Sequence, residues 1–358
     1  MIYAHDPTPH LAELAHHYRM AAPAGTPAKA IDYSIRAGEE ALAIFAYEEA
    51  AIHWQAALEI LEHRGEADVR NADLCLRLGR LMGTIDRAKG IKYLEKALGL
   101  YKQLGHRIMI AQAHTSLGNF RCMIGAEMDV PDAIEHYRKA EAVLRFGQQD
   151  DSSLRLSAYV NCGLAAAAAR AAHIQEGLAA ARRAVDIAEC LGDEKIIARA
   201  VTQLSQHLYY SGRLAEAFTL IDRAWEIADR INDAKIAFAV TRTGGGCSAA
   251  LGDPRAYRWY ERELSKPRTA NTRHARAVLS AVLGECFLLT GQAERVPALM
   301  TQMLTDPSNQ SQGYVAFVQG QWEEVERCWR QTYERSRLAG GRDEGSGYPA
   351  CRARVLRI

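Results

Sequence analysis

Clusters of Val, Ile and Thr set between turn residues are scarce in this 358-residue chain, and with them goes the case for β-sheet. Charge of a single sign is missing as well: 44 Lys and Arg stand against 43 Asp and Glu, for a formal net charge of +1. That balance removes any global electrostatic drive toward nucleic acid or an anionic membrane surface, so direct nucleic-acid binding is not expected. No apolar run reaches bilayer-spanning length, and no basic segment followed by an apolar core opens the chain. The expectation is a soluble, cytoplasmic protein with no membrane partner. The eight cysteines include no CxxC pair. A zinc site needs clustered thiolates and a disulfide scaffold needs a secreted setting, so buried free thiols are expected, with no metal and no cofactor.

What the chain does have is alanine, dominating an apolar fraction of 48%, and a period. Small residues recur at Gly79, Gly118, Gly163, Ser205, Gly245 and Gly284, separated by 39, 45, 42, 40 and 39 positions. Seven residues after most of them stands a turn residue: Asp86, Gly125, Gly212, Gly252 and Gly291, with Arg170 in the third slot. A second pattern follows each turn, a small residue, a bulky one at +4 and usually Ala at +7. It reads Ala50–Trp54–Ala57, Ala133–Tyr137–Ala140, Gly177–Ala181–Ala184 and Ala217–Ile221–Ala224. Offsets of four and seven lie on one helix face, and a fixed period of this size marks stacked helical hairpins. A mid-helix Gly costs roughly 0.5–1 kcal/mol relative to Ala. Repeated acceptance of that cost at one register predicts close approach of a neighbouring helix. Bulky Trp54, Leu94, Tyr137, Ile221, Tyr260, Met300 and Trp329 would fill the space between hairpins.

Helices are predicted over 11–21, from Pro27 to about 44, and from Tyr47 to about 62. Hairpins then pair 72–85 with 87–104, 107–124 with 131–146, and 153–169 with 174–191. They continue as 194–211 with 213–231, 234–251 with 254–265, and 273–290 with 292–304. Gly105 and Gly192 are placed to cap second helices in the left-handed conformation. A compressed last unit follows Gly313 and Gly320, and after Leu338 the period is lost. The expected organisation is an N-terminal helical segment over 1–62, a repeat array over 63–338 and an irregular tail over 339–358. Neither end offers a convincing capping helix, which suggests a piece of a longer protein.

A Gly or Ser helix followed by small–x3–bulky–x2–Ala resembles the tetratricopeptide repeat (TPR). The nearest match is Leu117-Gly118-Asn119-Phe120 with Ala133, Tyr137 and Ala140. The resemblance covers about residues 28–338 and implies an all-α fold, a right-handed superhelical solenoid of antiparallel helix pairs. The period departs from the family's 34, averaging 41 here, which calls for longer helices. Long repeats of this kind look like the C-terminal regions of bacterial STAND/AAA-type signalling ATPases, tied to cyclase or LuxR-type output domains. The stretches Leu11-Ala-Glu-Leu-Ala-His-His-Tyr, Lys29-Ala-Ile-Asp-Tyr and Ala37-Gly38-Glu39-Glu40-Ala41-Leu42 resemble the junction that follows the ATPase there. No GxxxxGK[ST] phosphate loop occurs, so the chain would carry the sensor without the engine.

Candidate sites thin out quickly. Thr243-Gly-Gly-Gly-Cys-Ser falls mid-helix, in register with the other small positions, and reads better as a kink or tight crossing than as a phosphate cradle. His16-His17 point to different sides of a helix and find no ligand at i+4, so surface histidines are the better account. No acid, base or nucleophile pair emerges at usable spacing, and no catalytic residue is assigned. The resemblance offers one constellation. In TPR-like arrays the first helix of each pair lines a concave groove, at −6, −3 and +1 from the small residue. Those positions yield Arg80, the polar triplets Gln112/Thr115/Asn119 and Arg199/Thr202/Gln206, then Arg242 and Glu285, with Tyr209 one turn beyond the second triplet. A solvated face is the plain alternative. The expected function is a non-enzymatic scaffold or sensor that takes a protein, a peptide, a small polar ligand or adjacent ATPase and output domains. A purely structural array, joined through Trp322, Val325 and Trp329, is the rival.

Overall fold

The computed structural model describes residues 10–21, 25–44, 46–63, 68–123, 128–146, 150–234, 236–241, 255–266, 291–299 and 319–338, with isolated helical residues between 279 and 316. The α-helices bounded within these stretches are α1 Leu11–Ala21, α2 Pro27–Ala43, α3 Tyr47–Glu62, α4 Val69–Ile85, α5 Arg87–Leu104, α6 Arg107–Cys122, α7 Val130–Arg145, α8 Asp151–Arg170, α9 Ile174–Leu191, α10 Glu194–Tyr210, α11 Leu214–Arg230, α12 Arg255–Ser265 and α13 Trp322–Leu338, with further helical residues at 234, 236–241 and 297–299. A short 3-10 turn spans Ala293–Arg295, and there is no strand among the described residues. The repeat Met300 and the side chain of Trp329 lie outside the described part, as do Gly245, Gly252 and the tail after Leu338.

Two compact units divide the chain, one of residues 1–123 with 139–147, the other of 124–138 with 148–358. In the first, α1 to α5 each pack on the helix that follows, and α4 also touches α6. In the second, α8, α9, α10 and α11 stack in the same consecutive way, with α8 also against α10. Several helices begin or end for local reasons. Asp68, Asp86, Asp150 and Asp193 accept backbone N–H bonds at N-caps. Gly105 (φ 70°) and Gly192 (φ 64°) close α5 and α9 in the left-handed region, as the sequence predicts. The turn between α8 and α9 is the exception. Ala172 (φ 57°) takes the place that Gly212 (φ 75°) holds 40 residues on, between α10 and α11.

That turn corrects the register of the third repeat. Counting seven back from Ala172 gives Ala165, fully buried like its counterpart Ser205, so Ala165 and not Gly163 is the matching small residue. The alanine run at 165–169 supplies several small residues, and only the turn decides among them.

The small-to-bulky packing appears as expected. A Cβ at Gly79 would sit 2.6 Å from Leu94, and one at Gly38, a period upstream, 2.3 Å from the Trp54 indole. Ala50, Trp54, Ala57, Leu94, Ala97, Ala133, Tyr137, Ala140, Ile221, Ala224 and Tyr260 are all buried. Each bulky member removes enough apolar area to contribute about 1.5–3 kcal/mol. Helix α5 shows how tight the approach becomes. A Cβ at Gly90 would stand 2.6 Å from the backbone nitrogen of Gly83 and 2.7 Å from its Cα, so the two helices meet backbone to backbone.

Exposed ion pairs run along the same period. Arg77 reaches Glu39, Arg138 reaches Glu176, Arg223 reaches Glu189 and Arg262 reaches Asp229, each 33 to 38 residues away. Arg155 pairs with Asp193, and Lys195 pairs with Asp233 at 2.7 Å. Every such bridge ties one repeat to the next.

Candidate functional site

In the first unit the polar side chains of the first helices lie on α4 and α6. Residues 73, 77 and 80 of α4 reach solvent on one stripe, since a step of three or four returns to the same face. Asp73 accepts the Tyr101 hydroxyl from α5, and Arg77 pairs with Glu39 of α2. Arg80 donates from Nε to the Ser116 hydroxyl of α6 at 3.0 Å. Its side chain is exposed, yet surrounding protein atoms desolvate the guanidinium enough to lower its pKa from the ordinary value. On α6, Gln112 is half-buried and Asn119 exposed. Thr115 does not reach solvent: it is buried, and its hydroxyl donates to Ala111 O at 2.7 Å within its own helix.

In the second unit the corresponding stripe runs along α10. Arg199 is exposed, and its guanidinium lies 5.5 Å from the ring centroid of Tyr159 on α8. Gln206 is half-buried and makes a long contact of 3.4 Å to the Tyr210 hydroxyl. Tyr209 is half-buried, packed beside Leu178, Leu208 and Ala217, with its ring tilted against Tyr210. Thr202 fails as Thr115 does, being buried with its hydroxyl on Ala198 O at 2.7 Å. The reason is shared. The position three before the small residue faces the core, and a threonine there satisfies itself by bonding back one turn. The residue that the triplet should have held is Gln203, four after Arg199 and three before Gln206. Its Oε1 is buried and has no hydrogen-bond partner. Correct helical stepping from Arg199 would have found it.

The two triplets belong to different units. Arg242 and Glu285 lie outside the described residues. Of the proposed edge contact, Trp322 is exposed, whereas Val325 is buried and belongs to the interior of its own helix's packing.

Arg80 and Arg199 share with exposed Arg107 and Arg182 the lack of a carboxylate, and differ from them in standing at the expected groove positions. Arg77, Arg138, Arg155, Arg223, Arg230, Arg262 and Arg295 all hold carboxylates. Among the described residues neither Arg80 nor Arg199 does; one rests on a hydroxyl and the other on an aromatic face. A guanidinium without a carboxylate keeps several donors ready for an anion.

The other reactive groups are quiet. Burial pushes the Cys75 and Cys162 thiols up to about 12, and Cys122 and Cys328 are buried, while Cys190 alone of the described cysteines is exposed. Among the described residues no group of three His, Cys, Asp or Glu could hold a metal ion. No described helix is long and apolar enough to cross a membrane. His207 is fully buried, its Nε2 donating to Ala165 O of α8 at 2.9 Å and its Nδ1 without a partner. Gly177 of α9 leaves room for that ring, since a Cβ there would stand 1.9 Å from it. This histidine locks three helices and is not poised for chemistry.

No family model and no curated protein matches the chain. Solved structures do. The apo form of the quorum sensor NprR from B. thuringiensis matches with a TM-score of 0.59 at 13% identity, over 82% of this chain and 82% of that one. The Rap conjugation gene regulator of the plasmid pLS20, in complex with the Phr* peptide, matches at 0.56 and 13%, over 94% and 99%. A STAND protein with a tetratricopeptide repeat sensor from Pyrococcus horikoshii matches at 0.51 and 12%, over 82% of this chain but 47% of that one. At these identities the likeness is one of architecture: the chain has an all-α, TPR-like fold of consecutively packed helix pairs.

Proposed function

We propose that this chain is a non-enzymatic regulatory module that binds a peptide, or an extended segment of a protein, on the faces of its first helices. The observation that carries the reading is the pair of exposed guanidiniums, Arg80 and Arg199, both at the expected groove positions and neither holding a carboxylate among the described residues. Support comes from the matched folds, one a quorum sensor and one solved with a peptide bound. In this reading residues 63–338 form the binding array, 1–62 lead into it and 339–358 are a tail. Binding would bias the curvature of the array and so an attached or separate output partner, which in a STAND-like setting is a bacterial cytoplasmic ATPase.

The test is retention of a randomised hexapeptide pool on the immobilised full chain. Arg80→Gln or Arg199→Gln should each lower retention severalfold while the melting temperature stays put. Retention no better than on bare matrix would overturn the reading. The genomic frame on either side of Met1 and Ile358 decides the ATPase context: an adjoining phosphate-loop domain supports it.

A further inference from the structure

The α8–α10 stripe carries its own chemical signature, and the inference drawn from it rests on the peptide-binding reading above. Three groups line up on it. Arg199 is exposed, lies 5.5 Å from the Tyr159 ring centroid and has no carboxylate among the described residues. One turn on, Gln203 keeps a buried Oε1 with no hydrogen-bond partner. A further turn on, the Gln206 amide makes only a 3.4 Å contact to the Tyr210 hydroxyl.

Each group asks for something different. A buried carbonyl oxygen without a donor is unfavourable, and a ligand N–H supplied to Gln203 relieves it. A primary amide such as Gln206 both donates and accepts, matching the two edges of a peptide bond. The guanidinium, resting over the tyrosine ring, offers a fork of donors to a planar anion. Nucleic acid is a poor fit, since one arginine among neutral amides does not follow a phosphate backbone.

We infer that the α8–α10 stripe selects an extended peptide bearing a carboxylate, with Arg199 gripping the carboxylate and Gln203 and Gln206 holding the adjacent peptide backbone. The carboxylate can belong to an Asp or Glu side chain or to the peptide's own C-terminus. Arg199 is then the specificity-determining residue, and Tyr159 positions it. A charge-assisted pair of this kind corresponds to a loss of about tenfold in affinity when the cation is removed.

The experiment passes two randomised hexapeptide pools, one C-terminally amidated and one with a free C-terminus, over the immobilised full chain. Retained peptides are then sequenced. Enrichment of Asp and Glu in the amidated pool assigns the carboxylate to a side chain; preferential retention of the free-ended pool assigns it to the terminus. Either result supports the inference, provided that Arg199→Gln abolishes the preference, Arg199→Lys restores part of it, and both variants melt like the parent. Gln203→Leu should lower retention of all peptides severalfold without changing the acid preference. Retention with no preference for carboxylates overturns this inference and leaves peptide binding standing. No retention of either pool overturns both.

Discussion

At the scale of single residues, Ala172 holds the least comfortable backbone described. A left-handed φ of 57° costs an alanine about 1 kcal/mol that a glycine does not incur, and the equivalent turn at Gly212 uses glycine. Ala172→Gly should therefore raise stability by up to about 1 kcal/mol in denaturant titration, and a loss would show that the turn is held by something other than its φ. His207 makes a pH prediction. Burial holds its pKa below the ordinary 6.5, so the fold favours the neutral ring. Its contribution is complete above pH 6.5 and is lost as pH falls toward the lowered value. The non-titrating His207→Gln, which can keep the donor to Ala165 O, should flatten the fall in melting temperature between pH 7 and pH 5; an unchanged slope would assign that fall to other groups. Legibility divides along the same lines. Gly105 and Gly192 were readable because a left-handed cap has a strong residue preference. Ala172 was not, because alanine carries no such signal. The burial of Thr115 and Thr202 was hidden too, since a threonine bonded back to its own helix looks, in sequence, like one offered to solvent.

Helices show the same contrast between pattern and contact. The spacing of small and bulky residues placed Leu94 and Tyr137 correctly, because burial repeats with the period. It missed Gly90 and His207, whose importance lies in contacts with single partners. Gly90→Ala would press a methyl into the Gly83 backbone, with no side chain able to yield. Gly177→Ala would press one into the His207 ring, which can be removed. Each should cost about 1–3 kcal/mol as overpacking. Their double mutants should differ: His207→Ala added to Gly177→Ala should recover part of the loss, a coupling measurable by a double-mutant cycle. For Gly90→Ala no side-chain truncation on α4 should recover as much. Equal rescue in both cases would mean that α4 and α5 can slide apart. Arg199 and Gln203 belong to this scale as well, since their joint meaning appears only when α10 is stepped by four and then three.

For the molecule as a whole, the feature with the widest reach is the set of ion pairs that each span one repeat. Individually these exposed bridges contribute little, about 0–1 kcal/mol. Their addresses matter more than their strength. Arg155 finds Asp193, and Lys195 finds Asp233, two aspartates 40 positions apart that both follow a left-handed residue, Gly192 or Asn232. Excising residues 192–231 would put Asn232 and Asp233 where Gly192 and Asp193 stood and hand Arg155 an equivalent partner. Such a chain should fold as a shorter array with one cooperative melt, whereas excising 192–211 should leave it unable to close its core. Charges addressed this way are a grammar of joining: they license the gain or loss of whole hairpins by recombination while rejecting fragments of one, so the length of the array is free to drift while its phase is not.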